Sequence, residues 1–537
     1  MPSREIADEA EAVTCEQYAS STLAGEGEEH PDPTRSHSVV SRRELWSYYL
    51  YWNGSCGIGA GFVRTLFTLA AFQAGYDAVE GPGSRCTTSE RCLLVWTGEK
   101  TVSITTALFL ADGATLVVLA AIVAIVSSAA DYGKMGRWAL LIFTGSYWLS
   151  QLSSIPLTDM ISISYYGAVI FASAVLPRLA RSLPAAQYFR ARYAGGEISA
   201  AEFDAEESLN LSRISSFSQA HVKIGYLAFN CIFLIPWFSN GMNTLVIAPT
   251  VYWIILGIWW FVLEKPRPGP AIPQDASCTT VGIKQMWRAI RDCKVLSQTF
   301  IYLASVFVLT NGIESTVQVV ESRQFRHFIE RQQYGTIEVL VFVQTLVAVL
   351  GTIGFWRIQK YRRSGNKTML GIILALSSIL PAWGKYPLLI NLSHPLLIST
   401  FRIVGQVSPL ILEAVTQSVN PHKSFRTTWE FWVSNVLIGI VLTPYNAYSI
   451  TMMAELTPPG FENMFFGLFG LSAQASRFLG PLIRKSIFDW NDLALPFLSC
   501  VCGLVLVLRF VGVQQGRQDA RAWADRMRPS AGITRSN

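Results

Sequence analysis

Apolar residues in this chain run together for twenty positions at a time instead of alternating or recurring at helical spacing. A bilayer-spanning helix needs about 20 mostly apolar residues. Twelve such runs stand at 45–73, 103–128, 138–157, 161–180, 215–238, 244–263, 297–318, 336–356, 369–388, 430–452, 463–483 and 491–513. The pattern predicts an all-α integral membrane protein with twelve transmembrane helices. A thirteenth stretch, 395–418, carries Arg402, Gln406, Ser408, Glu413 and Gln417. A charge at the centre of a span costs about 2.5–3.5 kcal/mol on insertion scales, so a surface helix, a re-entrant segment and a true span all stay open for it.

Composition agrees with this reading. Of 537 residues, 51% are hydrophobic and 15% charged, where soluble domains carry about 25% charged residues. Nine cysteines are too sparse for a disulfide scaffold. The net charge of +6 gives no reason to expect a nucleic-acid partner. Its distribution fixes orientation, because Lys and Arg mark cytosolic loops. The connector 265–296 holds Lys265, Arg267, Lys284, Arg288, Arg291 and Lys294 against Asp275 and Asp292. The next basic connector holds Arg357, Lys360, Arg362, Arg363 and Lys367 with no acid, and five arginines follow Val513. Twelve spans put all three segments and both termini in the cytosol, although Arg484 and Lys485 then fall on the opposite side.

Residues 1–44 hold nine acidic residues before position 33 and no apolar core, so they read as a disordered cytosolic tail without a secretory signal. The expected organisation continues with a six-helix bundle (45–264), a cytosolic linker (265–296), a second six-helix bundle (297–513) and a cytosolic tail (514–537). This layout resembles the major facilitator superfamily, two six-helix halves with the substrate near the midplane between them. Within the linker, Ile283 to Val295 reads as an amphipathic helix with Met286, Trp287, Ile290 and Val295 toward the membrane. The aromatics Trp46, Tyr48, Tyr49, Tyr51 and Trp52 read as an interfacial belt. In the non-cytosolic loop 74–102, Cys86 and Cys92 can form a disulfide if the compartment is oxidising.

The chain shows no P-loop, H-E-x-x-H or G-x-S-x-G constellation, so an enzyme, a metal site and a cofactor are not expected. Polar groups inside apolar runs carry more information, since each is costly unless paired or facing a cavity. Asp112 lies in the second span and Glu314 in the seventh, one turn from Asn311. Two readings stand for these carboxylates: proton-coupling or substrate-ammonium groups, or structural acids bonded to a neighbouring helix. The first span holds Asn53 and Arg64 among glycines that allow close helix packing. Arg64 binds a substrate carboxylate or pairs with an acid such as Asp112. Between the second and third spans, Asp131 to Arg137 resembles the signature loop of the superfamily, which implies conformational gating by an ion pair at Asp131 with Arg137 among the nearby basic residues.

A more specific resemblance rests on Tyr448-Ser449-Ile450, then Ala454-Glu455-Leu456, Pro458-Pro459-Gly460, Glu462, Phe465-Phe466-Gly467-Leu468 and Gly480-Pro481-Leu482. Tyr48 to Tyr51, Ala129 to Gly133, Ser212 to Ser215 before Gly225-Tyr226, and Trp429 to Trp432 agree with it. Together these resemble the autophagy-related vacuolar amino-acid effluxers over roughly residues 45–513. Physically, Pro458-Pro459-Gly460 stops one helix, and Glu462 opens the next where the dipole favours an acid. The chain departs from that family at Ile450, where an arginine is usual, and at Gln474, where a lysine is usual. The resemblance implies a small-molecule substrate, export of neutral, leucine-like amino acids from the vacuole lumen to the cytosol, and a multi-pass protein of the vacuole membrane. The alternatives are export of another small metabolite and a transport-dead membrane scaffold or receptor.

Overall fold

A computed structural model describes residues 39–56, 71, 74–84, 86, 92–97, 100–153, 158–231, 242–267, 269–270, 278–329, 331, 333–385, 428–487 and 493–527. In chain order the elements are α1 (Arg42–Ser55), β1 (Tyr76–Asp77), β2 (Cys92–Thr97), β3 (Lys100–Ser103), α2 (Ile104–Ala129), α3 (Met135–Leu152), α4 (Thr158–Arg181), α5 (Pro184–Ala194), α6 (Ala200–Phe229), α7 (Met242–Leu263) and α8 (Cys278–Arg291). There follow α9 (Ser297–Ile329), α10 (Tyr334–Arg362), α11 (Asn366–Lys385), α12 (Thr428–Leu456), α13 (Glu462–Ile487), α14 (Ala494–Val505) and α15 (Val513–Met527). Each of the twelve apolar runs overlaps one of these helices. Six helices among the described residues are long and apolar enough to cross a membrane, and the bent pair Leu495–Phe510 with Val513–Met527 would make a seventh. Arg64 and the stretch 395–418 lie outside the described residues.

Two sets of helices carry the core. One comprises α1 to α4 with α6 and α7; the other comprises α9 to α14. They meet where α6 packs on α10 and α12, and where α13 packs on α2 and α4. Close approach is possible there because Gly467 faces Ser127 and Val123 of α2, and Gly470 faces Ile170 of α4. Within the first set the aromatics of α1 turn inward. Tyr48 and Tyr51 are 1% exposed; Tyr48 OH donates to the Ala172 carbonyl (2.9 Å), and Tyr51 OH shares a hydrogen bond with Thr144 Oγ1 (2.8 Å). The expected interfacial belt therefore reduces to Trp46, since the phenols find partners inside the set.

Several boundaries differ from the sequence reading for local reasons. Helix α1 stops at Ser55, with Cys56 in the left-handed region at φ 51°. Helix α6 starts well before its apolar run because Ser199 and Glu202 form a reciprocal capping box. The linker is laced to the first set: Arg267 clasps the buried Glu44 carboxylate through both terminal nitrogens (2.6 and 3.0 Å), and Gly269 donates to the Gly133 carbonyl (2.8 Å). On α8, Ile283, Trp287 and Ile290 stay exposed, but Met286 points the other way and is buried. Gly282 lets the helix seat on α2 at the Ile125 carbonyl, and that contact takes Met286 with it. Residues 514–527, read from sequence as part of a tail, belong to α15, whose Trp523 is buried against Phe461 and Phe465. Between α1 and α2, β1, β2 and β3 form an antiparallel sheet (Tyr76 opposite Leu93, Leu94 opposite Val102), and Cys86 is disulfide-bonded to Cys92.

A Cβ on Gly225 of α6 would collide with the Asn53 carbonyl of α1, whereas nothing lies near Gly145 of α3. Gly225→Val is expected to cost about 1–3 kcal/mol through forced separation of α1 and α6. Thermal unfolding in detergent should show a lowered Tm for it and no loss for Gly145→Ala.

Candidate functional site

Among the described residues, polar clusters interrupt the apolar packing where the helix sets meet, two at the basic end of the helices and one at mid-span. In the first, Asp131 follows the end of α2 and is 1% exposed. Its Oδ1 accepts from the Asn463 backbone N–H (2.8 Å), Asn463 Nδ2 (3.0 Å) and Arg178 Nη2 (3.1 Å), and its Oδ2 accepts from the Met464 N–H (3.1 Å). Those backbone donors open α13, where no intrahelical acceptor exists and the dipole favours an anion. Arg178 Nε also donates to Glu462 Oε2 (3.0 Å), and Arg181 Nη2 donates to Glu462 Oε1 (2.8 Å). Glu462 Oε1 accepts the Gly460 N–H (3.1 Å), which closes the Pro458-Pro459-Gly460 turn with Gly460 at φ 93°. Two carboxylates thus share one guanidinium across the boundary between the sets.

Burial pushes the Asp131 carboxyl up to about 7; Arg178 pulls it back and Glu462 pushes it further up. Burial acts on Glu462 in the same sense, but Arg178, Arg181 and backbone N–H groups outweigh it and hold Glu462 down to about 2. Arg137 is not a partner of Asp131. It pairs with Glu264 (3.3 Å) and donates to the Phe261 carbonyl (2.5 Å), securing the loop to α7.

The second cluster occupies the corresponding place in the other set. Glu455, near the end of α12, binds Arg517 Nη2 of α15 (2.7 Å) and Asn366 Nδ2 of α11 (2.6 Å), and it accepts from Ser208 Oγ of α6. Arg517 reaches on to Asp204 of α6 (3.4 Å). Tyr448 OH donates to Gln359 Oε1 (2.8 Å), and Gln359 Nε2 donates to Asn366 Oδ1 (2.5 Å), completing a buried polar chain. Burial works against the Arg517 charge, but Glu455, Asp204 and Glu207 keep it protonated.

The third cluster lies about 22 Å along α13 from Glu462, fifteen residues at 1.5 Å each. Arg477 forms a two-point bond with Glu314 of α9, Nε to Oε2 and Nη2 to Oε1, both 2.5 Å. Its Nη1 donates to Gln474 Oε1 (3.2 Å), and its guanidinium lies 5.8 Å from the Tyr166 ring of α4. Asn311 Nδ2 donates to Ser499 Oγ (3.3 Å) and Asn311 Oδ1 accepts from Ser315 Oγ (3.1 Å), one turn from Glu314.

Of the residues singled out from sequence, Glu314 therefore belongs to this mid-span cluster, and Asp131, Glu455 and Glu462 belong to the two terminal ones. Asp112 is half-buried and already engaged; the neighbouring Gly113 faces the Phe478 ring, beside Arg477. Asn53 stands apart, with its Oδ1 accepting from Tyr252 OH (2.7 Å) inside the first set. Sequence reading missed Arg178, Arg181, Asn366, Arg477 and Arg517. Arg477 was findable, being a charge within the apolar run 463–483; the others sit at helix ends, where a basic or polar residue is unremarkable.

Arg517→Ala leaves the Glu455 carboxylate, 1% exposed, without its cation. A loss of about 3–5 kcal/mol is expected, and Arg517→Met with Glu455→Gln together should cost less than Arg517→Ala alone. Thermal unfolding of the two variants in detergent reads the difference.

Comparison with known proteins fits this geometry. A family model described as "Vacuole effluxer Atg22 like" matches residues 40–521. Autophagy-related protein 22-2 of Sclerotinia sclerotiorum is 24% identical over 91% of this chain and 82% of its own. Autophagy-related protein 22-1 of Phaeosphaeria nodorum is 24% identical over 91% of this chain and 93% of its own. Among solved structures, the major facilitator superfamily proton:xylose symporter XylE superposes with a TM-score of 0.52 at 10% identity, covering 90% of this chain and 97% of that one, a likeness of fold alone. From a match that spans both helix sets and the turn at Glu462, it follows that this chain belongs to the Atg22-like vacuole effluxers, autophagy-related membrane transporters of major facilitator fold.

Proposed function

We propose that this transporter exports neutral, leucine-like amino acids from the vacuole lumen to the cytosol, recycling the products of autophagic breakdown, by alternating access of two six-helix halves. The observation that carries the mechanism is the clamp at Asp131, Arg178, Arg181 and Glu462. It ties residues of one half to the first turn of α13 in the other. Behind it, Gly467 and Gly470 bring α13 onto α2 and α4, and Phe465 and Phe466 are buried. Lys134, Arg137 and Arg267 line one pocket with Arg178 and Asn463 of the clamp, and by the positive-inside rule that end lies in the cytosol. The conformation is then closed toward the cytosol and loads from the lumen. Release requires α13 to leave Asp131. Ile450 and Gln474, uncharged where the family usually carries cations, favour a second reading, in which another small metabolite is exported.

The clamp has a definite pH sign. Asp131 sits above its ordinary 3.8, at about 7, so the closed state holds a proton that a solvated Asp131 would release. That advantage is complete below about pH 4 and is lost as the pH rises through about 7. Glu462, held near 2, acts only in stronger acid. Spin labels at Tyr188→Cys and Tyr361→Cys, exposed positions on either half, should report a closed population that shrinks from pH 5 to 7.5, and a flat profile in Asp131→Asn. Glu462→Gln removes charge-assisted bonds worth about 1.5–3 kcal/mol and should shift the closed-to-open ratio about ten- to hundred-fold toward open.

For the substrate, liposomes holding the purified protein should pass labelled leucine, and empty liposomes should not. Absence of flux for any amino acid from folded protein would sink the reading and direct attention to other metabolites.

A further inference from the structure

The bond between Glu314 and Arg477 is not the sole tie between its helices. Both residues belong to the second half. There Ser472 Oγ and Ser476 Oγ of α13 already donate to the Leu303 and Phe307 carbonyls of α9 (2.8 and 2.6 Å). Yet the two charged side chains stand mid-span and remain 37% (Arg477) and 24% (Glu314) exposed. Ionised groups at membrane depth face a bundle interior or a polar cavity, not lipid. Here the Tyr166 ring of the other half lies 5.8 Å from the guanidinium, so the cluster sits where the two halves face each other. Beside it, Gln474 is 8% exposed, gives its Oε1 to Arg477, and leaves its Nε2 with no hydrogen-bond partner among the described residues.

We propose that Arg477, Gln474 and Glu314 form the binding site for the backbone of an α-amino acid. The substrate carboxylate takes the planar guanidinium fork of Arg477 together with the unpartnered Gln474 Nε2. The substrate ammonium takes Glu314, and the side chain lies against Tyr165 and Tyr166. In the empty site the two protein charges satisfy each other. A zwitterion that inserts between them replaces one ion pair by two and adds no net charge at membrane depth. A carboxylate without an ammonium leaves Glu314 unpaired, and an amine without a carboxylate leaves Arg477 unpaired, so both are rejected.

This site rests on the amino-acid reading above and adds the atoms that would read the substrate. The test is binding of labelled leucine to the purified full chain in lipid nanodiscs. The competitors are 4-methylpentanoate, which lacks the ammonium, and 3-methylbutylamine, which lacks the carboxylate. The unsubstituted protein should prefer leucine over each by about ten- to hundred-fold. Glu314→Gln should erase the preference over 4-methylpentanoate alone, Arg477→Gln the preference over 3-methylbutylamine alone, and Arg477→Lys should retain most of the latter. Leucine bound with either analogue equally good, or with preferences unmoved by both substitutions, overturns this site and leaves amino-acid transport standing. No amino acid bound by the unsubstituted protein overturns the transport reading and the site with it. If a variant fails to fold, the competition on the unsubstituted protein still decides.

Discussion

A carboxylate buried against the first turn of a helix from the other half is the constraint on which this conformation depends. Asp131 has lost its hydration, so it stays only while Asn463, Met464 and Arg178 supply donors. Those donors exist because the Pro458-Pro459-Gly460 turn ends α12 and opens α13 at that point. Seating α13 there also requires side chains small enough for contact with α2 and α4, which Gly467 and Gly470 provide. The gate is therefore one arrangement of turn chemistry, helix dipole and missing side chains. Its strength comes from several bonds made together on two carboxylates that are each 1% exposed.

The two halves solve the same problem with different parts. In the first, the cation bridging to the opposite half is Arg178, at the end of a spanning helix. In the second, the matching place on α12 carries Glu455, and the cation arrives from α15, beyond the last span. The C-terminal helix is thereby a component of this conformation. Trp523 anchors it by burial and by donating to Asp292 Oδ2 of the linker (3.1 Å), so linker, C-terminal helix and gate are one connected structure.

Glu314 stood out in the sequence because an acid in an apolar run demands an explanation, and the structure supplies Arg477 as its partner. No local pattern joins them, since they stand 163 positions apart. The same applies to Asp131, where the neighbouring Arg137 offered an obvious mate, while the actual one is Arg178 at the far end of α4. Ion pairs between helices are set by which helix ends meet in space, and sequence proximity is a poor guide to that. The aromatics of α1 carry a related lesson: Tyr48 and Tyr51 are amphipathic enough for an interface, but hydroxyl partners at Ala172 and Thr144 made the interior available to them.

The sequence alone determined the helical membrane class, the places of the apolar runs, the turn at Gly460 and the family. Each of these follows from short-range chemistry: runs long enough to cross hydrocarbon, a Pro-Pro-Gly reversal, and a contiguous motif. Only the tertiary structure decided which charges answer which, that Met286 faces protein instead of lipid, and that the residues after Val513 form a helix docked on the core. The reason is common to all three. Burial of a charge or an apolar face is determined by its neighbours in space, and those come from segments tens to hundreds of residues apart.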